Sequence, residues 1–282
     1  MYLARQGPIR IAIGGIFLYN IVTRLAPQRA TGVRSALAYS IIILGFMAQP
    51  TRLLYITGEM EPFTEASPLS TRVRTLAEET QDAGPYDVRV FMPKFGAISD
   101  RRNHLHEVIR LSGTEVPING GTDACTVKVA SVPDTRVQVY FMEHATHIPE
   151  TPGSTSFPES HALFFNRAIL ETLVSLRWIP DIVHGFGWQS ALFPWLASQE
   201  YNGHEHMTHQ PHFVFTPDDS AHARSLPEDI DSGTGEYLSL GMNRAGATVP
   251  LQETPHVDGA AAMLLSANDA SNRLLTLYED TM

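Results

Sequence analysis

One stretch limits the folds open to this chain: Arg52–Phe63, reading RLLYITGEMEPF. Leu53-Leu54-Tyr55-Ile56 is an uninterrupted apolar run of strand length, which predicts a fully buried strand. It enters a glycine-containing turn, Thr57-Gly58, and then two acids, Glu59 and Glu61, ahead of Pro62. Strands buried on both faces belong to sheets covered by helices, and in open α/β sheets ligands bind beyond the carboxyl ends of the strands. Glu59 is therefore the first candidate site residue. It either faces a ligand there or bonds the backbone of its own turn.

The chain that follows repeats the alternation. Ser70–Asp82 carries Val73, Leu76 and Ala77 at helical spacing, and Ala83-Gly84-Pro85 stops it. Asp87–Met92 reads as a second strand, followed by Pro93-Lys94-Phe95-Gly96. This βαβ order implies a parallel sheet with a right-handed crossover. Thr126–Ala130 and Val137–Phe141 are β-rich segments around Pro133-Asp134, a hairpin excursion. Phe157–Arg177 is a long helical pattern with Leu163, Phe164, Ala168, Leu170, Leu173 and Leu176 on one buried stripe. Asp181–His184 is the next strand, Trp188–Gln199 the next helix and His212–Thr216 a further strand. The expected fold is α/β, one Rossmann-like parallel sheet over residues 47–220. The remainder, 221–282, loosens into Gly, Ser, Asp and Pro and ends in one helix over Ala260–Asp280. It is too short for a second Rossmann domain.

Charge and cysteine count exclude several classes. A formal charge of −10 repels phosphates, so neither nucleic acid nor an anionic membrane is expected as a partner. The single cysteine, Cys125, forms no internal disulfide and no thiolate metal site, which points to the cytoplasm. Before Met47 lie two apolar runs, Ile11–Val22 and Ala36–Ala48, separated by Arg24, Arg29 and Arg34. Each falls short of the ~18–20 residues that span a bilayer. MAQPTRLLYITGE reads like a protein start, so residues 1–46 are expected to be an upstream extension. A membrane-anchoring segment or a helical decoration of the domain are the alternatives.

Four segments resemble one family, the bacterial and plant glycogen/starch synthases. The first strand leading to Glu59 and Pro62-Phe63 is similar to their S-E-x-x-P-F, which K-x-G-G-L-A-D follows. VRVFMPKFGAI is similar to their second strand and L-P-x-Y-G-x-I. Pro180-Asp181-Ile182-Val183-His184-Gly185-Phe186-Gly187-Trp188-Gln189 resembles P-D-[IV]-[IV]-H-x-H-D-W-H, and Phe215-Thr216-Pro217-Asp218-Asp219 resembles F-T-x-H-N. The resemblance implies the amino-terminal half of a GT-B glycosyltransferase. Its family activity is glucosyl transfer from ADP-glucose to an α-1,4-glucan, so it implies a glucan or sugar nucleotide as partner, and no cofactor.

The same alignment shows what has changed. The family's donor-binding lysine falls on Glu65 and its paired glycines on Ser67 and Pro68. A glutamate repels a diphosphate, and Pro68 is better suited to starting a helix. Three polar groups of the second motif became Phe186, Gly187 and Gln189, and Asp218 stands where a catalytic histidine is expected. Glu59, His184, Trp188 and Asp218 remain as candidate substrate-binding residues, with none catalytic and none a metal ligand. His184 also reads as a satisfied structural histidine, and Asp218-Asp219 as a solvated turn or a cation site. The cluster HEHMTHQPH has spacing that can hold zinc or nickel, but lies where a surface loop is expected. The expectation is a synthase-like protein inactive alone, its missing half supplied, if at all, by a separate polypeptide. A non-catalytic glucan-binding or regulatory module, and another small-ligand site built on Glu59, Asp218 and Asp219, are the alternatives.

Overall fold

The computed structural model describes residues 49–150, 159–217, 225–226, 236–251 and 270–281. The expectations for residues 1–46, Asp218, Asp219 and most of the 218–269 stretch lie outside them.

β1 (Thr51–Thr57) is the buried strand that the apolar run predicts, with Leu53 to Ile56 fully inaccessible. After it, α1 (Pro68–Ala83) turns Leu69, Val73, Leu76, Ala77 and Thr80 inward at helical spacing. Pro68 is its first residue, where a missing N–H costs nothing. Gln81 near its end grips the next strand: its amide donates to Tyr86 O at 2.8 Å and accepts from Val88 N at 3.1 Å. β2 (Tyr86–Pro93) then runs parallel to β1, in register from Thr51–Tyr86 to Ile56–Phe91.

Between β2 and the long helix the chain makes the hairpin excursion. The strands are β3 (His106–Glu107), β4 (Thr114–Ile118), β5 (Gly121–Ser131) and β6 (Gln138–Glu143). β6 joins β2 in parallel while β5 pairs antiparallel to β6, and β3 and β4 both pair with β5. Asp134 turns the hairpin at φ 63, in the left-handed region that a short polar side chain tolerates. The two short strands β3 and β4 have no counterpart in the sequence reading, because β3 is only two exposed residues and Pro117 sits inside the brief alternation of Val116 and Ile118 in β4.

α2 (Glu159–Leu176) returns the chain to β7 (Ile182–Phe186), which lies parallel to β1 on its free side. β7 runs two residues past His184, so His184 is mid-strand, level with Tyr55 and Val214, and not at a strand end. The helix expected over Trp188–Gln199 is broken into a 3₁₀ turn, Trp188–Ser190, and α3 (Phe193–Gln199). Gly187 precedes the turn at φ 76, a conformation that glycine adopts without steric cost. β8 (His212–Thr216), α4 (Tyr237–Arg244), β9 (Ala247–Thr248) and α5 (Ala270–Thr281) complete the described elements. β9 pairs parallel to β8, so the sheet takes a strand from beyond residue 220.

The strand order is β3-β5-β6-β2-β1-β7-β8-β9, with β4 attached to β5. Its parallel core has β1 at the centre, and the chain moves to one side through β2 and to the other through β7. β1 is therefore the topological switch point. Gly185 shows how tightly the sheet is packed there. A Cβ on it would lie 2.5 Å from Ser190 Oγ and 2.8 Å from Phe213 Cζ. Gly185→Ala is expected to destabilise the protein by about 1–3 kcal/mol, read as a lower urea midpoint with an unchanged slope.

Candidate functional site

Three parallel strands end level. Thr57 pairs with Phe186, and Phe186 with Thr216. The residues just beyond them form the carboxyl edge at the switch point. The Thr57 hydroxyl closes the first turn, donating to Glu59 O at 2.8 Å and accepting from Glu59 N at 3.2 Å. Gly58 lets the loop after β7 come close, since a Cβ there would meet the Gln189 side-chain nitrogen at 2.8 Å. Gln189 is itself held from below: Asn166 of α2 donates to its carbonyl at 2.6 Å. Glu59 is half-buried beside this contact. Thus Glu59 stands two residues past Thr57, Trp188 two past Phe186, and chain order gives Asp218 the same distance past Thr216.

The remaining predicted residue, His184, does not share the edge. His184 lies below it with no accessible surface. Its Nδ1 is 2.6 Å from the Tyr278 hydroxyl on α5, and its Nε2 is 2.8 Å from Thr216 Oγ1. Thr216 donates its hydroxyl hydrogen to Val249 O at 2.7 Å, so its oxygen accepts from Nε2–H, and Nδ1 accepts from Tyr278. The Tyr278 hydroxyl lies 3.3 Å from that of Tyr55, which is 3.2 Å from Thr80 Oγ1. This chain of groups joins α1, β1, β7, β8 and α5. Burial drives the His184 pKa from 6.5 to about 3, so the ring is neutral. It pushes the Tyr55 hydroxyl up to about 12. Trp188 is also buried, its ring edge-on to Tyr237 of α4 with centroids 5.1 Å apart. Neither His184 nor Trp188 offers a surface to a ligand in this arrangement.

The turn from β1 to α1 shows what the Glu65, Ser67 and Pro68 positions do. Ser67 and Ser70 cap the helix reciprocally: Ser70 N donates to Ser67 Oγ at 2.9 Å and Ser67 N to Ser70 Oγ at 2.8 Å. Thr71 N bonds Ser67 O, and Pro68 has no N–H. Three of the first helical positions therefore have no amide to give a phosphate.

On the other side of β1, the carboxyl ends of β2 and β6 hold a charge quartet that no sequence motif marks. Lys94, only 7% exposed, is 3.2 Å from Asp100 and 3.5 Å from Glu143. Lys128 on β5 is 2.6 Å and 2.7 Å from the same two carboxylates. Burial opposes the Lys128 charge, but its hydrogen bonds to Asp100 and Glu143 outweigh that and raise its pKa. Burial likewise opposes ionisation of Asp100, and the two lysines reverse it. Lys94 and Glu143 of the quartet line a cleft of about 500 Å³, together with Thr126, His144, Ile148 and Glu150. Its cations are already neutralised, so the cleft is no diphosphate clamp.

Of the histidines of HEHMTHQPH, His204, His206 and His209 lie along a loop and His212 opens β8. His206 lies by Glu205, while His209 sits 3.0 Å from Pro180 O. Among the described residues no helix is long and apolar enough to cross a membrane.

The comparisons with known proteins fit this geometry. A family model for the starch synthase catalytic domain matches residues 52–249. The glycogen synthase of Chlorobium phaeovibrioides is 38% identical over 162 residues, covering 55% of this chain and 33% of that protein. The glycogen synthase of Chlorobium luteolum is 35% identical over 166 residues, again covering 55% of this chain and 33% of its own length. The chain thus matches a third of these relatives' length. The catalytic domain of Starch Synthase IV from Arabidopsis thaliana, bound to ADP and acarbose, shares the fold. Its TM-score is 0.61 at 17% identity, over 82% of this chain and 50% of that one.

The buried histidine makes a pH prediction. Its folded pKa lies below its unfolded value, so its contribution is complete above pH ~6.5 and is lost as pH falls toward ~3. Between pH 7 and 5 the native protein should lose about 2 kcal/mol more stability than His184→Gln. Urea titrations of both proteins at each pH measure the difference.

Proposed function

Since residues 52–249 make this chain a member of the starch synthase catalytic-domain family, we propose that it binds an α-glucan or a sugar nucleotide at the carboxyl edge of β1, β7 and β8. It does so in the cytoplasm, without transferring glucose by itself. The reading rests on Glu59, which stands at the switch point beside the Gly58–Gln189 contact. A carboxylate there accepts hydrogen bonds from sugar hydroxyls. Asp218, two residues past Thr216 in chain order and at the family's histidine position, is the second acceptor in this reading. His184 and Trp188 act from beneath as positioning residues, fixing the ends of β7 and β8 on which the loops sit.

Inactivity follows from the chemistry of the replaced positions. Glucosyl transfer needs a cation or free amides on the leaving diphosphate, because stabilising developing charge is usually the largest catalytic term. Glu65 brings the opposite charge, and the start of α1 offers no free amide at Pro68, Ser70 or Thr71. Asp218 supplies no imidazole donor. Losing single groups of this kind costs about a hundredfold or more each. A separate polypeptide carrying the second half of a GT-B enzyme is the protein partner consistent with this reading.

Two measurements test it. In affinity electrophoresis the native chain should be retarded by glycogen, and Glu59→Gln should weaken retention by about tenfold, the value of a hydrogen bond to a charged group. Unretarded native protein removes the glucan reading, and a thermal shift with ADP-glucose would then assign the site to the nucleotide sugar. Incorporation of labelled glucose into glycogen should stay at the no-enzyme background, also for Glu65→Lys with Asp218→His. Turnover lost on Asp218→Ala would return the chain to the enzymes.

A further inference from the structure

A second site lies away from the switch point, where the hairpin excursion meets α2. The antiparallel pairing of β5 with β6 ends at Thr126–Glu143. Asp123 at the start of β5 therefore runs back past the residues that follow β6, among them His144 and His147. His147 Nε2 is 2.7 Å from Asp123 Oδ2, and one ligand atom from each of Asp123, His144 and His147 lies within 4.8 Å of the other two. Among the described residues this is the one such grouping of three. We propose that Asp123, His144 and His147 form a binding site for a divalent transition-metal ion of the zinc class.

Several features of the surroundings suit that chemistry. Phe164 of α2, fully buried, stacks on His147 with centroids 4.4 Å apart and 20° between planes. It also backs His144 at 5.0 Å. Both imidazole planes are thereby set by an apolar wall, as preorganised ligands require. His161, one turn earlier on α2, stands edge-on to His147 at 6.0 Å. His144 is itself half-buried beside this wall. Its Nδ1 is 3.1 Å and 3.2 Å from the amides of Thr146 and His147, long bonds that a cation taken at that nitrogen would replace. Two imidazoles with one carboxylate favour Zn²⁺, Co²⁺ or Ni²⁺ over Mg²⁺ or Ca²⁺, which take oxygen ligands.

The three ligands come from the start of β5 and from the loop after β6. His144 also lines the cleft above the Lys94 quartet. A three-ligand ion keeps a coordination position for water or a ligand oxygen, as open zinc sites do. The site is independent of the glucan-facing edge. It would hold whether or not that edge binds sugar.

The test uses the full chain, purified through a tag without histidine, stripped with EDTA and titrated with Zn²⁺ against a chromophoric chelator. One equivalent should bind with a micromolar or tighter dissociation constant, and Co²⁺ should give visible d–d bands of low coordination number. His147→Ala and the shape-conserving Asp123→Asn should each weaken Zn²⁺ by about tenfold or more. His204→Ala with His206→Ala, which removes two histidines of the other cluster, should leave the equivalent unchanged. If His147→Ala does not fold, judged by circular dichroism without metal, Asp123→Asn decides. The proposal falls if no Zn²⁺ is taken up, if Asp123→Asn binds as the native chain does, or if uptake disappears with the His204/His206 pair.

Discussion

The pairing of β1 with β2 on one side and β7 on the other is what the rest of the molecule depends on. Four consecutive apolar residues leave β1 no polar face, so it is stable only with strands on both edges and helices on both surfaces. Once both edges are filled by parallel neighbours, every strand end on that side opens in one direction. The turns carrying Glu59 and Trp188 then stand side by side at the reversal of strand order. The position of the candidate edge follows from the sheet, whatever chemistry its loops carry.

The polar groups that meet at His184 are tolerated inside this core because each finds a partner. His184 would be costly as a buried cation, and burial keeps it neutral between Tyr278 and Thr216. The same bonds give the final helix, α5, a specific address on the sheet, which apolar contacts from Leu274 alone would define less sharply. A residue that a family motif marks as functional thus works here as a joint between elements distant in the chain.

Charge is rearranged in a similar way. The turn before α1 holds Glu65 and a reciprocal serine cap, so the Ser70 amide is satisfied within the turn itself. Lysines do sit at the carboxyl ends of neighbouring strands, but Asp100 and Glu143 hold both of them. Cations held this way are matched by carboxylates within the fold and leave little net positive field at these strand ends.

The parallel α/β fold was legible in the sequence wherever hydrophobic patterning is local. β1, α1, β2, the β5–β6 hairpin, α2 and β8 all appear within a few residues of the positions their periodicity implies, because burial of one face or both leaves a repeat in the chain. The four short family-like segments fixed their order on the carboxyl edge for the same reason. The rest depended on contacts between distant residues. Apolar character could not show that β7 continues past His184, since Gly185 and Phe186 join it through pairing with β1 and β8. It could not show that Tyr278 would cross ninety-four positions to meet His184, or that Lys94 and Lys128 would share two carboxylates. Nor could spacing pick out Asp123 with His144 and His147 over the denser histidine run after residue 203. Side chains separated by a hairpin become neighbours only when strand register brings them together, and register is set by the whole sheet.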